Sequence, residues 1–314
     1  NLVQEYKKKI NNNLSLIYME GPDSLKETFN YVLNSNGKRI RPILTLLTVN
    51  ACNGDFKKCL PAAVSLELLH NFTLVHDDIM DNDKLRRGLE TVHEKWDLGT
   101  AVLSGDLILS VALNNLSKNY FNDSNIINIF TQGLIAVCEG QALDKEYETK
   151  TSINIDKYLK MIDLKTGYLL GMCTEIGASL SSANINVSNK LKEYGLLIGR
   201  AFQIQDDYLE IFSNSNKMGK SLESDILLNK KTFLMILANE KSPNLVKEVL
   251  NLCKEDFLLG LNELREILYN EGIKDYTEKK IDQIFNQANG ILEEIPHDMS
   301  NIKLFTDHLS KRKK

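Results

Sequence analysis

Residues 62–81 read AAVSLELLHNFTLVHDDIMD. Apolar side chains recur every three or four positions, with Val64, Leu68, Phe72, Val75 and Ile79 along one stripe, and no alternating period of useful length competes with them. That period is helical. It persists through most of the chain, which has only 5 prolines and 17 glycines among its 314 residues to punctuate it. The stretch SNKLKEYGLLIGRAFQIQDDYLEIF, beginning at Ser188 as a candidate cap, adds a second helix of about seven turns. Connections fall at NGKRIRP, CNGD, NDKLRRG, YFNDSN, YETKTS, SSANINVS, SNSNKMGKS, KSPN and YNEGIKD, none long enough or rich enough in Pro and Ser to be a linker. The expectation is an all-α fold, a single domain over residues 1–314 of about ten or more helices. No fixed-period repeat marks a solenoid.

The composition is that of an ordinary globular chain, 43% hydrophobic and 25% charged. A net charge of -4 and a pI near 5.9 leave no basic excess for a nucleic-acid partner, and the closing KRKK reads as a short solvated tail. The five cysteines (Cys52, Cys59, Cys138, Cys173 and Cys253) form no CxxC pair and have no histidine at zinc spacing. They read as reduced core residues, which points to the cytoplasm. No run approaches roughly 18 uninterrupted apolar residues, and NLVQEYKKKI leads into Asn-rich sequence instead of a signal-peptide core, so neither membrane insertion nor secretion is expected.

The helix that opens the reading ends in charge. Asp77, Asp78, Asp81, Asp83 and Glu90 crowd together and run into Arg86 and Arg87. Residues four apart on a helix lie about 40° apart around its axis, so Asp77 and Asp81 share a face and Asp78 sits beside them. Carboxylates so placed repel unless water or a cation neutralises them. Mg²⁺ is a natural neutraliser, because it takes a few carboxylates together with waters and phosphate oxygens. Taken alone, DDxxD is equally the mark of an acidic helix end. A calcium loop starting at Asp81 is excluded, since Leu85, Arg86 and Val92 stand at its fifth, sixth and twelfth positions. About 130 residues later FQIQDDYLE repeats the i, i+1, i+4 spacing with Asp206, Asp207 and Glu210, again inside an apolar helix. Two such helices facing one another would put carboxylates on both walls of a cavity, with room for a polyanion bridged by magnesium.

A polyanion also needs cations. Lys38, Arg39 and Arg41 group in NGKRIRP, Arg86 and Arg87 follow the first acidic set, and Lys220, Lys230 and Lys231 follow the second. Carboxylate, Mg²⁺, phosphate and Arg or Lys is the recurrent arrangement for holding a diphosphate. With no Walker A loop and no Gly-rich dinucleotide turn, that diphosphate is not a nucleotide in a P-loop.

GKRIRP (37–42), HDDIMDNDKLRRG (76–88), EGQALD (139–144), LKTG (164–167) and FQIQDDYLE (202–210) occur in the order and spacing of the trans-isoprenyl diphosphate synthases, the polyprenyl synthetase family. The resemblance spans roughly Gly37 to Thr232. It implies a single large helical bundle around a central cavity, a homodimer, and head-to-tail condensation of isopentenyl diphosphate with an allylic diphosphate such as dimethylallyl, geranyl or farnesyl diphosphate. It implies three magnesium ions at carboxylates drawn from Asp77, Asp78, Asp81, Asp206 and Asp207, with Arg86, Lys165, Lys220 and Lys230 on the departing diphosphate. Lys38, Arg41, His70 and Arg87 would hold isopentenyl diphosphate, and Lys165, Thr166 and Gln203 would face the carbocation. His70 lies seven residues before Asp77, two turns along the same face. Glu210 stands where the family usually has Asp. A class I terpene cyclase would carry (N/D)DxxSxxxE and lack GKRIRP; a non-catalytic subunit of a heteromeric synthase would tend to lose an acidic or basic set, and both are intact here.

Product length in this family follows residues just before the first acidic set, here Leu69, Phe72 and Thr73. Phe72 is roughly 7.5 Å down the helix from Asp77. The helical wheel places Thr73 more nearly under Asp77, so the stopper role of Phe72 comes from the resemblance. An aromatic there without a second one at Thr73 is similar to geranylgeranyl (C20) synthases, with C15 and C25 products open.

Overall fold

Helix dominates, as the apolar period requires, in a computed structural model that describes residues 2–35, 37–212, 226 and 230–312. The chain divides into two units, residues 1–134, 172–189 and 297–302 in one, and 135–171, 190–296 and 303–314 in the other. The first holds α1 (Leu2–Leu16), α2 (Asp23–Asn34), α3 (Ile40–Ala51), α4 (Phe56–Asp81), the hairpin strands β1 (Leu85–Arg86) and β2 (Leu89–Glu90), α5 (Val92–Lys95) and α6 (Leu98–Tyr120). The second holds α8 (Ile155–Ile162), a π-helical turn at Asp163–Gly167, α11 (Phe233–Lys241), α12 (Pro243–Glu255), α13 (Phe257–Asn270) and α14 (Ile273–Glu293). The unit boundaries fall inside α7 (Ser124–Glu148), α9 (Tyr168–Leu180), α10 (Ile185–Phe212) and α15 (Ser300–Ser310).

In the first unit α4 is the organising element, packed against α3 and α6. Asp55 caps its start by accepting the Lys57 N–H at 2.9 Å, and Asn82 ends it in a left-handed conformation. Pro61 interrupts the first turns of this helix. Nearby, the Tyr120 hydroxyl donates to the Lys58 carbonyl at 2.6 Å and accepts the Ala62 N–H at 3.2 Å, bridging a carbonyl and an amide that would otherwise meet in the helical ladder. Every side chain from Ala62 to Leu69 is buried, a wider face than the single stripe read from sequence. Such all-round burial belongs to a helix at the centre of a core.

Two local features depart from the sequence reading. NDKLRRG is not a plain connection: Leu85 pairs with Glu90 and Arg86 with Leu89, and the two-residue tip, Arg87 and Gly88, has φ of 55° and 81°. Positive φ at both central positions is the turn geometry that matches strand twist. Helix α10 starts before Ser188, because Asn184 accepts the Val187 N–H at 3.0 Å and takes the capping role. Helices α6 and α7 are long and apolar enough, by length and composition, to cross a membrane, and 28% and 39% of their most apolar windows are buried within the chain.

Leu68, fully buried in α4, should cost about 2–5 kcal/mol of stability when cut to Ala. Leu304→Ala, at a side chain 66% exposed, should change stability by under about 0.5 kcal/mol. Urea titration of both variants checks the contrast.

Candidate active site

The end of α4 carries the first acidic set. Asp78 is 5% exposed, and burial pushes its carboxyl up to about 6 although Arg86 works in the other direction. Arg86 reaches it through Nε at 2.7 Å and also through Nη2, which contacts Asp83 at 3.2 Å. Burial disfavours the Arg86 charge, but Asp78, Asp83 and Asp77 more than offset it and hold the guanidinium above its ordinary value. Asp78 and Arg86 are therefore a tied pair. Asp77 is half-buried and Asp81 buried on the neighbouring positions of the same turn.

A cationic cluster surrounds His70 in the same unit. Burial drives its imidazole well below the usual value, and Arg41, Arg87, Arg86 and Arg39 push the same way. His70 is thus neutral at pH 7 and has one N–H to donate. Lys38 is exposed, Arg41 is half-buried in the first turn of α3, and Arg87 at the hairpin tip donates to Ser35 Oγ at 3.0 Å. Lys38, Arg41 and Arg87 present charge; Arg39, grouped with them by sequence, is 6% exposed and turned inward.

The second unit repeats the pattern of a tied central carboxylate with different partners. Asp207 is 5% exposed; its Oδ2 accepts the Tyr158 hydroxyl at 2.6 Å and the Phe233 N–H at 3.0 Å, and its Oδ1 accepts Gln203 Nε2 at 3.1 Å. Burial raises its carboxyl to about 6 against those three donors. Asp206 is half-buried and accepts Arg312 Nη2 at 2.7 Å, while the Arg312 guanidinium lies 3.8 Å over the Phe202 ring. Glu210 and Lys230 line one cavity of about 590 Å³ with Lys231, Met235 and Leu250. Lys220 lies outside the described residues.

LKTG forms the π-turn. Lys165 Nζ pairs with Asp144 at 2.7 Å, Arg200 grips Asp163 through Nε at 2.8 Å and Nη2 at 2.5 Å, and Thr166 Oγ1 donates to Gln203 Oε1 at 3.1 Å. Two glycines admit the widened turn. A Cβ on Gly140 would lie 2.3 Å from the Lys165 nitrogen, and one on Gly199 would lie 2.6 Å from the Gly167 Cα.

Of the length-setting candidates, Leu69 is fully buried and Thr73 bonds back to the His70 carbonyl at 2.8 Å. Phe72 is half-buried with its ring 4.8 Å from that of His76, and His76 in turn fills the space before Gly105, where a Cβ would be 2.2 Å from Nε2.

The donors at both acidic sets are hard carboxylate oxygens, the ligand type that Mg²⁺ takes while keeping waters and substrate oxygens in its shell.

A model of the family described as Polyprenyl synthetase matches residues 22–263. The chain belongs to the polyprenyl synthetase family. It is 34% identical to the geranylgeranyl pyrophosphate synthase of Geoglobus acetivorans over 99% of this chain and 98% of that one. It is 35% identical to the geranylfarnesyl diphosphate synthase of Natronomonas pharaonis over 71% of each. Among solved structures, the geranylgeranyl pyrophosphate synthetase of Pyrococcus horikoshii superposes with a TM-score of 0.90 at 31% identity, covering 99% of this chain and 97% of that one.

Within this polyprenyl synthetase chain, Tyr158, Asp144, Asp163, Arg200 and Arg312 make the hydrogen bonds described above in and around the motifs, and sequence reading gave them no role. Asp144 closes the EGQALD motif and so had a signal. Tyr158 and Arg200 sit on ordinary helical stretches and had none. Gly199→Ala should destabilise the protein by about 1–3 kcal/mol, because the clashing atoms are backbone and cannot swing aside. Denaturant unfolding of that variant reads the cost.

Proposed function

We propose that this protein is a geranylgeranyl diphosphate synthase. The allylic C–O bond breaks and diphosphate leaves with the electron pair; the isopentenyl double bond attacks the resulting allylic carbon, and a proton is lost to give a chain five carbons longer. The observation that carries this reading is the hydrogen-bonded chain Thr166–Gln203–Asp207–Tyr158. It links the second acidic set to the π-turn through one amide. Because the Thr166 proton goes to Gln203, its oxygen lone pairs are left to face positive charge, which is what an allylic cation needs and a nucleotide does not.

Asp77, Asp81 and Asp206 are the direct magnesium ligands in this reading, and Asp78 and Asp207, tied to Arg86 and to Tyr158, fix the turns that present them. Magnesium bound there supplies Lewis-acid stabilisation to the departing diphosphate. Lys165, Lys220 and Lys230, with Arg86, complete its charge balance. Lys38, Arg41, His70 and Arg87 hold isopentenyl diphosphate, with neutral His70 donating its N–H. Phe72 stops the growing chain at C20. Residues 1–314 act as one catalytic domain in the cytoplasm. The exposed apolar side chains of α6, Leu98, Val102 and Leu103, support a homodimer in which a second copy covers them.

Mass spectrometry after incubation with Mg²⁺, isopentenyl diphosphate and, separately, dimethylallyl, geranyl or farnesyl diphosphate should give a C20 product that chelation abolishes. Phe72→Ala should lengthen it. Wild-type product at C15 or C25 would move the stopper elsewhere, and no elongation from any primer would favour a non-catalytic subunit. Sedimentation should give twice the chain mass.

A further inference from the structure

Arg39 holds a left-handed backbone, φ 55°, at the entry to α3, a conformation that side chains other than those of Gly and Asn rarely adopt. Something must hold it there. Its guanidinium donates through Nη1 to Glu67 Oε1 at 2.7 Å, through Nη2 to the Leu33 carbonyl, and through Nε to Asn11 Oδ1 at 2.9 Å. These contacts tie the turn to α4, α2 and α1. Glu67 is 2% exposed, and Asn71 Nδ2 fixes it from the other side, reaching its carbonyl at 2.7 Å and its Oε1 at 3.3 Å.

The surroundings are crowded with positive charge. A Cβ on Gly37 would lie 2.8 Å from Arg39 Nη1 and 3.1 Å from Arg87 Nη1, so both guanidinium groups close on that glycine. Burial lowers the Arg87 guanidinium, Arg39 and Arg86 lower it further, and Glu67 favours its charge. Guanidinium groups at such spacing repel, and without a buried anion the cluster would splay when no diphosphate is bound.

We propose that Glu67 is a positioning residue for the isopentenyl diphosphate site: through Arg39 it sets the turn that places Lys38, Arg41 and Arg87, and it touches no substrate. The inference rests on the synthase reading above. It also has a counterintuitive sign. If field strength alone governed binding, removing an anion would tighten the diphosphate; if placement governs, removing it weakens the grip.

Steady-state kinetics of Glu67→Gln, Arg39→Gln and the double variant decide between these. Each single change should raise KM for isopentenyl diphosphate about tenfold, equal to about 1.4 kcal/mol, while the allylic KM and kcat stay within about twofold. The double variant should be no worse than either single one, since one device is being removed. An isopentenyl KM that is unchanged or lower, both KM values rising together, or single effects that multiply would overturn the proposal. Circular dichroism checks folding; if Glu67→Gln does not fold, Asn71→Ala, which releases Glu67 Oε1, carries the same expectation. Titration with inorganic pyrophosphate in the absence of metal should show the same tenfold loss. A wild-type protein that elongates no primer overturns the synthase reading instead, and the pyrophosphate titration still decides the role of Glu67.

Discussion

A carboxylate taken out of water stays charged only if the protein replaces the hydration it loses. Each acidic motif here sets two or three carboxylates on one helical turn, where they also repel. Both motifs meet this constraint through their second residue. Asp78 is gripped by Arg86, and Asp207 accepts three donors, from Tyr158, the Phe233 amide and Gln203. With the second carboxylate fixed into the wall, the flanking ones keep a defined direction. The asymmetry between the partners matters: an ion pair fixes Asp78, while neutral donors fix Asp207. Arg86 brings its cation to the first turn at Asp78 itself, whereas the second turn takes its cation, Arg312, at Asp206 and leaves Asp207 to neutral donors.

The positive side of the chemistry obeys the same constraint with the signs reversed. Burial, helped by the arginines gathered around it, keeps the His70 imidazole neutral, and the buried carboxylate of Glu67 lies among those arginines. A hydrogen-bond donor that carries no charge of its own can then sit inside a cationic pocket without adding to its repulsion. Burying the Arg39–Glu67 pair is poor evidence for stability, since desolvation cancels much of its attraction. What it supplies is a single geometry for a turn whose backbone is otherwise disfavoured.

Much of this was legible in the sequence because it rests on spacing. The i, i+1, i+4 acidic sets, the apolar period of α4 and the basic runs beside them are all one-dimensional patterns, and the helical class and the motif positions follow from them. What was illegible depends on partners distant in the chain. Arg39 looks like its neighbours Lys38 and Arg41 until Glu67, 28 residues on, is seen to claim it. The hairpin tip at Arg87 was hidden because Arg at a left-handed position gives no Asn-Gly or Asp-Gly signal. Tyr120 bridges Lys58 and Ala62 beside Pro61 from more than fifty residues away, and Ser188 lost its capping role to Asn184, whose side chain simply lies one turn earlier.

The π-turn shows how a local irregularity can be made permanent. An extra residue in a helical turn loosens the backbone ladder, and an isolated helix would anneal it away. Here three independent contacts oppose that. Arg200 brackets Asp163 at the start of the turn, Asp144 holds Lys165 in its middle, and Thr166 is tied to Gln203 near its end. Gly140 and Gly199 let neighbouring backbone approach so closely that a methyl group at either position would collide with the turn. The three contacts and the close packing of both glycines are made with the turn in its irregular form, so the packing favours that conformation. Thr166 and Lys165 are thereby held in place by Gln203 and Asp144, and in the proposed reaction dipoles fixed in this way would stabilise a developing charge without reorganising.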